Sequence, residues 1–327
     1  MRDVLDEGRG QGIFPAASLW VADGLEPLLD VHVGGAGPES VWDVASLTKP
    51  MAVASLAMDM LSRGELELSD SVGPSGATVK ELLGHRSGLP AWWDLAKRLD
   101  EDLPGWTVGA PATRAAAKAA IERALDPAQS GALYSDLGYI LLGWHLEALA
   151  GQSLDELVPG YLAKGIPKER VMSGGFCPHR GRDLRGEVND LNAYILGGVA
   201  GHAGIFSRAD EVGDWALELL RCHEGHPGRY EQAVVRSFWG RSHFDDSGTW
   251  VLGFDTPTPG KSSAGTLIGR DAVGHLGFTG TSVWLDPLPG RVVVLLTNRV
   301  AASAGAEQAI KRFRPLLHDR LFEALNG

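Results

Sequence analysis

Ser46, Lys49, Tyr134 and His275 are the residues whose types and spacing invite chemistry. Residues 42–61 read WDVASLTKPMAVASLAMDML. If a helix begins near Ser46, Lys49 lies one turn later on the same face, within reach of the serine hydroxyl. A serine hydroxyl is a weak nucleophile until a neighbouring group takes its proton. A lysine whose proton affinity is lowered by burial and nearby charge can help remove that proton, and a helix N-terminus favours negative charge beside it. Pro50 suits a first turn, where its missing N–H costs no intrahelical bond. Two fixed residues recur often in a chain of 327, so the pair needs support from elsewhere.

A second stretch, Tyr134-Ser135-Asp136-Leu137-Gly138-Tyr139, precedes an apolar helix. A tyrosine followed two positions later by a small polar side chain can present both groups to a cleft. Beside a lysine, its phenol is easier to ionise and can serve as a general base. The structural alternative is a turn capped by Asp136 with Tyr134 packed beneath it. A third stretch, GHLGFTGTS over residues 274–282, leads into Val283-Trp284-Leu285. Glycines in a strand mark close approach of a ligand or another backbone, and an edge strand there can lend an N–H to an oxyanion. The structural alternative is a glycine-rich turn with a buried His275.

The elements that must position these residues are legible in outline. Residues 16–22 and 28–33 are apolar runs separated by Asp23-Gly24, a hairpin signal. The pattern then predicts helices over residues 46–61, 77–83, 112–125, 139–150 and 154–162, joined by Gly/Pro turns. Ser207 and Asp210 read as a capping box before a helix reaching about residue 221. Strand signals return over 250–254, 275–285 and 291–297, and residues 304–325 close as a helix. Strands at both ends with helices between predict an α+β fold, its sheet assembled from both termini around a helical insertion. Residues 1–75 with 204–327 form the expected sheet domain, and 76–203 the expected helical one.

Composition narrows the function classes. The chain carries 41 acidic against 30 basic residues, a net charge of −11, so the phosphate attraction that nucleic-acid binding requires is missing. No apolar run approaches a membrane span, and the N-terminus lacks a basic stretch followed by an apolar segment, which predicts a cytoplasmic protein without membrane partners. Cys177 and Cys222 alone are too few for a disulfide framework and suit a reducing compartment. His223 and His226 lie on a Gly/Pro-broken polar segment and are not assigned as metal ligands.

The order of these three stretches resembles the S-x-x-K, Y-x-N and K/H-x-G order of the penicillin-recognising serine hydrolases, a relative of the S-x-x-K, S-D-N and K-T-G set. The resemblance is to the branch holding class C β-lactamases, DD-peptidases and family VIII esterases. It extends to TVKELLGHRSGLP at 78–90 and to the glycine-rich stretch 197–207, and so spans about residues 10–320. It implies a β-lactamase/transpeptidase-like fold with the site between sheet and helices, no cofactor, no metal, and a small-molecule or peptide substrate. Ser46 then matches the acylated nucleophile, Lys49 its hydrogen-bonded partner, and Tyr134 the general base or proton shuttle. His275 and Gly277 match the third motif, and the backbone N–H groups of Ser46 and Phe278 match the oxyanion hole. His202 is a candidate for the cleft wall or for a role in its glycine turn, and His85 with Arg86 is expected to fix the loop leading to the helical part.

Two departures carry consequences. Asp136 stands where the family has asparagine, and a carboxylate near Lys49 favours its charged form. His275 stands where many members have lysine, which removes a permanent cation for a substrate carboxylate. Ester or peptide hydrolysis is therefore expected ahead of β-lactam hydrolysis. The competing expectation is a catalytically silent relative that binds a ligand or assembles.

Overall fold

The structure is a computed structural model describing residues 1–73, 76–124, 131–244, 248–303 and 305–326. A five-stranded antiparallel sheet is built from both ends of the chain. Its strands are β1 (Ala17–Asp23), β2 (Glu26–Val33), β3 (Val273–Leu276), β4 (Ser282–Asp286) and β5 (Arg291–Thr297), in the spatial order β2-β1-β5-β4-β3. The helices that bear on the site are α1 (Arg2–Gly10), α2 (Ser55–Ser62), α3 (Val79–Leu83), α4 (Asp136–Ala150), α5 (Ala209–Glu224) and α6 (Ala306–Asn326).

The sheet is covered on both faces, and its central strands, apolar through most of their length, are buried almost throughout. In the register of β1 with β5, Leu19 lies opposite Leu295 and Trp20 opposite Val294. Strand alternation sends Leu19, Val21, Val293 and Leu295 to one face, where Leu5 of α1 and Phe313, Leu317 and Phe322 of α6 bury them. Trp20, Ala22, Val292 and Val294 face the other way, into a larger core shared with α5 and the central helices. Each fully buried Leu or Phe contributes on the order of 2 kcal/mol. Gly213 sets how closely α5 approaches, since a Cβ there would meet the Trp20 ring at 2.5 Å.

Several expected elements differ in detail. The helix expected over 77–83 begins at Val79, because Thr78 caps it and exchanges hydrogen bonds with Glu81. The one expected over 154–162 stops at Leu157, since Val158 precedes Pro159 and is extended. The run 250–254 is not a strand; Trp250 and Asp255 form an isolated bridge across a tight turn. Residues 275–285 form two strands, because the chain turns at 277–281. At α5 the capping carboxylate is Glu211 and not Asp210: it accepts from the Arg208 N–H at 2.9 Å and from Ser207 Oγ at 3.0 Å. The expected end of a helix at Leu125 and the expected start of the last helix at 304 lie outside the described residues. Both cysteines are buried and unpaired. Among the described residues no helix is long and apolar enough to cross a membrane.

Candidate active site

The segment that delivers Ser46 is strained and stapled. Trp42–Asp43 pairs with Phe206–Ser207 as a short ladder. The Asp43 carboxylate then accepts from the Ala45 N–H at 2.9 Å and from the Asn189 N–H at 2.6 Å. Burial raises its pKa to about 6. Ala45 has φ of 51°, a left-handed conformation that a side chain rarely adopts and that its surroundings must enforce. The α-helix expected from Ser46 is instead a 3₁₀ turn over Ala45–Leu47 and a π-helix over Lys49–Ala54, with α2 following. Such π segments concentrate at functional sites.

Lys49 is fully buried. Its Nζ donates to Ser46 Oγ at 3.1 Å, to Asp136 Oδ1 at 2.6 Å and to the His202 carbonyl at 3.4 Å. Burial alone would drive this amine neutral, but Asp136, assisted by Tyr134, outweighs burial and holds its pKa above the ordinary lysine value. The Tyr134 phenol lies beside both groups, its ring centroid 4.7 Å from Lys49 Nζ, and Lys49 and Ser46 both bear on its proton affinity. Its pKa is raised, since burial and the Asp136 charge together exceed the opposing effect of Lys49. Lys49 does favour ionisation of this phenol, as expected, but burial and Asp136 outweigh it. At rest the cluster holds an ammonium and a phenol.

Tyr134 and Asp136 reach the cluster from the start of α4. The cap is Ser135 and not Asp136: its Oγ accepts from the Gly138 N–H at 3.1 Å and donates to the Pro90 carbonyl at 2.7 Å. Asp136 is thereby the first helical residue, free to aim its carboxylate at Lys49.

The third stretch packs directly on the nucleophile segment. A Cβ on Gly277 would sit 2.7 Å from the Val44 carbonyl oxygen and 3.4 Å from Ala45 Cβ. Thr279 Oγ1 donates to the Asp43 carbonyl at 2.8 Å, and Thr281 Oγ1 to the Val44 carbonyl at 3.0 Å. Arg314 Nη2 donates to the Gly277 carbonyl at 3.1 Å and the Thr281 carbonyl at 2.8 Å; Arg299 Nε donates to the Phe278 carbonyl at 2.9 Å. Because a trans peptide points its C=O and N–H oppositely, the Phe278 N–H faces away from Arg314. The Phe278 side chain is exposed and lies against the Arg299 guanidinium.

His275 stands on β3, an edge strand, with its ring centroid 6.0 Å from that of Tyr134. Its Nδ1 donates to the Leu276 carbonyl at 2.9 Å, so Nε2 is the unprotonated nitrogen; it is buried, with no hydrogen-bond partner among the described residues. Burial, reinforced by Lys49, lowers the imidazole pKa to about 3. His275 is a neutral acceptor and not a weak cation. Behind Lys49, His202 Nε2 lies 2.8 Å from Asp190 Oδ1. Burial would raise the Asp190 pKa, but His202, the Ala193 N–H and Lys49 overcome it and lower it to about 2. Asp136, Asp190 and His202 present ligand atoms within 4.8 Å of one another, yet Lys49 already occupies Asp136 and His202 occupies Asp190. His223 stacks on Trp239, and His226 lies beside Glu224.

Ser46, Lys49, Tyr134 and Asp136 thus meet in one cluster, with Gly277, Thr279 and Thr281 packed on the backbone that precedes Ser46. A family model described as Beta-lactamase matches residues 1–314. The chain belongs to the β-lactamase family. As a member of this family of serine hydrolases it shares 27% identity over 311 residues with an Escherichia coli K12 protein provisionally named D-alanyl-D-alanine carboxypeptidase, covering 80% of this chain and 69% of the relative. A β-lactamase from Mycobacterium bovis has the same β-lactamase/transpeptidase-like fold, with a TM-score of 0.65 at 21% identity over 98% of each chain. A hydrolase described as having promiscuous acyltransferase activity superposes with a TM-score of 0.67 at 19% identity, covering 95% of this chain and 96% of its own.

The sequence did not reveal Ser135, Thr279, Thr281, Arg299 or Arg314. The repeated T-G-T after Phe278 was the available signal for the two threonines. Nothing local marks an arginine on α6 as the clamp of a turn far away in sequence.

Proposed function

We propose that this β-lactamase-family protein is a serine hydrolase that turns over small esters, amides or peptides through a covalent acyl-enzyme, with short-chain esters ahead of β-lactams. The observation carrying this reading is the hydrogen bond between buried Lys49 and Ser46, with Asp136 bonded to the same ammonium and the Tyr134 ring against it. Ser46 Oγ attacks the substrate carbonyl, and the developing oxyanion is received by the Ser46 and Phe278 N–H groups. The proton lost by Ser46 passes through Tyr134, beside the Lys49 charge, to the leaving group. Water then attacks the acyl ester, and the same groups return the proton to Ser46.

Since the resting pair is an ammonium and a phenol, loss of one proton from it makes the base, and acylation rises toward alkaline pH. The neutral His275 supports uncharged esters over carboxylate-bearing β-lactams. We also read residues 1–75 with 204–327 as the sheet part and 76–203 as the helical part, with this cluster between them.

Intact-mass analysis after a fluorophosphonate probe tests the reading. One adduct is expected, located at Ser46 and absent in Ser46→Ala. Labelling that persists in Ser46→Ala overturns it.

A further inference from the structure

We propose that His85 is a positioning residue for Tyr134, acting through the peptide groups on either side of the tyrosine. This inference rests on the reading of Tyr134 as the proton shuttle. The His85 carbonyl accepts from the Leu133 N–H at 2.8 Å, and its Nδ1 accepts from the Ser135 N–H at 3.0 Å. Tyr134 is the residue between these two bonds. The His85 ring also faces the phenol, with centroids 4.6 Å apart, and is wedged between Tyr139 at 5.0 Å and Trp250 at 4.8 Å.

Three features separate this arrangement from simple packing. His85 takes φ of 58°, a left-handed conformation that costs energy in any residue with a side chain. That turn lets one residue offer both its carbonyl and its ring nitrogen to the same short loop. An Nδ1 that accepts leaves the proton on Nε2, and that nitrogen is buried without a hydrogen-bond partner among the described residues. A buried donor left unpaired is unfavourable, so the imidazole is retained at a cost. Burial, with Lys49, His275 and Arg86, keeps its pKa well below the ordinary value, so Nδ1 stays an acceptor. Protonation there would set two N–H groups against each other and release Ser135.

Paired substitutions test the proposal. In His85→Asn, the amide oxygen can take the place of Nδ1, and asparagine tolerates a left-handed backbone. In His85→Gln, the amide reaches only toward the Nε2 position. Pre-steady-state acylation with an aryl ester should fall roughly 10- to 100-fold in His85→Gln, as expected for a shuttle misplaced by about 1 Å, with KM little changed. His85→Asn should recover most of that rate. In a Tyr134→Phe background, His85→Gln should cause no additional loss, because both changes act through one group. Equal rates in the Asn and Gln variants, or full additivity with Tyr134→Phe, overturn the inference. If Tyr134→Phe itself acylates at the wild-type rate, the shuttle reading fails and this inference with it. If Tyr134→Phe is slow and His85→Gln is not, the inference alone fails.

Discussion

The Lys49 ammonium lies 2.6 Å from Asp136 Oδ1 and 3.1 Å from Ser46 Oγ, so its shortest contact is with the carboxylate and not the nucleophile. The charge state of the proposed site follows from that ordering. A lysine pinned by a carboxylate in a buried cluster keeps its proton, and the phenol beside it keeps its own as well.

Replacing the carboxylate should make the site easier to deprotonate. Asp136 raises the proton affinity of both Lys49 and Tyr134, so Asp136→Asn lowers both. The alkaline-rising limb of kcat/KM for an aryl ester should move to lower pH, with activity at pH 7 maintained or increased. A limb that stays in place or moves upward in the folded variant contradicts the role given to Asp136.

Gly277 cannot carry a side chain without moving the turn away from Ser46. A Cβ would lie 2.0 Å from Thr281 Oγ1 and 2.7 Å from the Val44 carbonyl oxygen, and the second contact is with backbone. Gly277→Ala should slow acylation by roughly 10²- to 10³-fold, the usual effect of losing one oxyanion donor. The rate of Ser46 labelling in stopped-time mass spectrometry measures this directly. A wild-type rate would remove Phe278 from the proposed oxyanion hole.

The neutral state of His275 predicts substrate preference. With its pKa at about 3, the ring supplies no cation to a substrate carboxylate anywhere in the working pH range. A p-nitrophenyl ester of a short acid should exceed nitrocefin in kcat/KM, and the ratio should not change between pH 5 and 8 through this residue. His275→Lys should move the ratio toward the cephalosporin. Nitrocefin turning over faster in the wild type would reverse the ranking.

Asp43 links the strained segment to stability. Its pKa is about 6 in the folded protein against 3.8 for an ordinary aspartate. Its stabilising contribution is therefore fully present below about pH 4 and lost as pH rises through 6. Urea unfolding should show a fall in stability over that window, on the order of 3 kcal/mol from this group, that is missing in Asp43→Asn. Identical pH profiles for the two proteins would show that Asp43 is not the group responsible.

Much of this site was readable from the chain alone, because its key pair is local. Ser46 and Lys49 are three residues apart, and any helical turn places them on one face, even the mixed 3₁₀ and π geometry found here. The hairpin at Asp23-Gly24 and the strand 291–297 were equally legible, since turn chemistry and continuous apolar runs are properties of short segments. The α+β architecture followed from strands at both ends and helices between. Proton affinities were not readable. Sequence pairs Tyr134 with a lysine and suggests an easily ionised phenol, whereas burial and Asp136 reverse the direction. The same holds for His275, whose charge is decided by burial on an edge strand beside Lys49. Nor did any local pattern connect Arg314 with Gly277, or His85 with the two residues flanking Tyr134. Those contacts join segments far apart in the chain. Desolvation and long-range hydrogen bonds exist only once packing has brought such segments together, so the tertiary structure decided them.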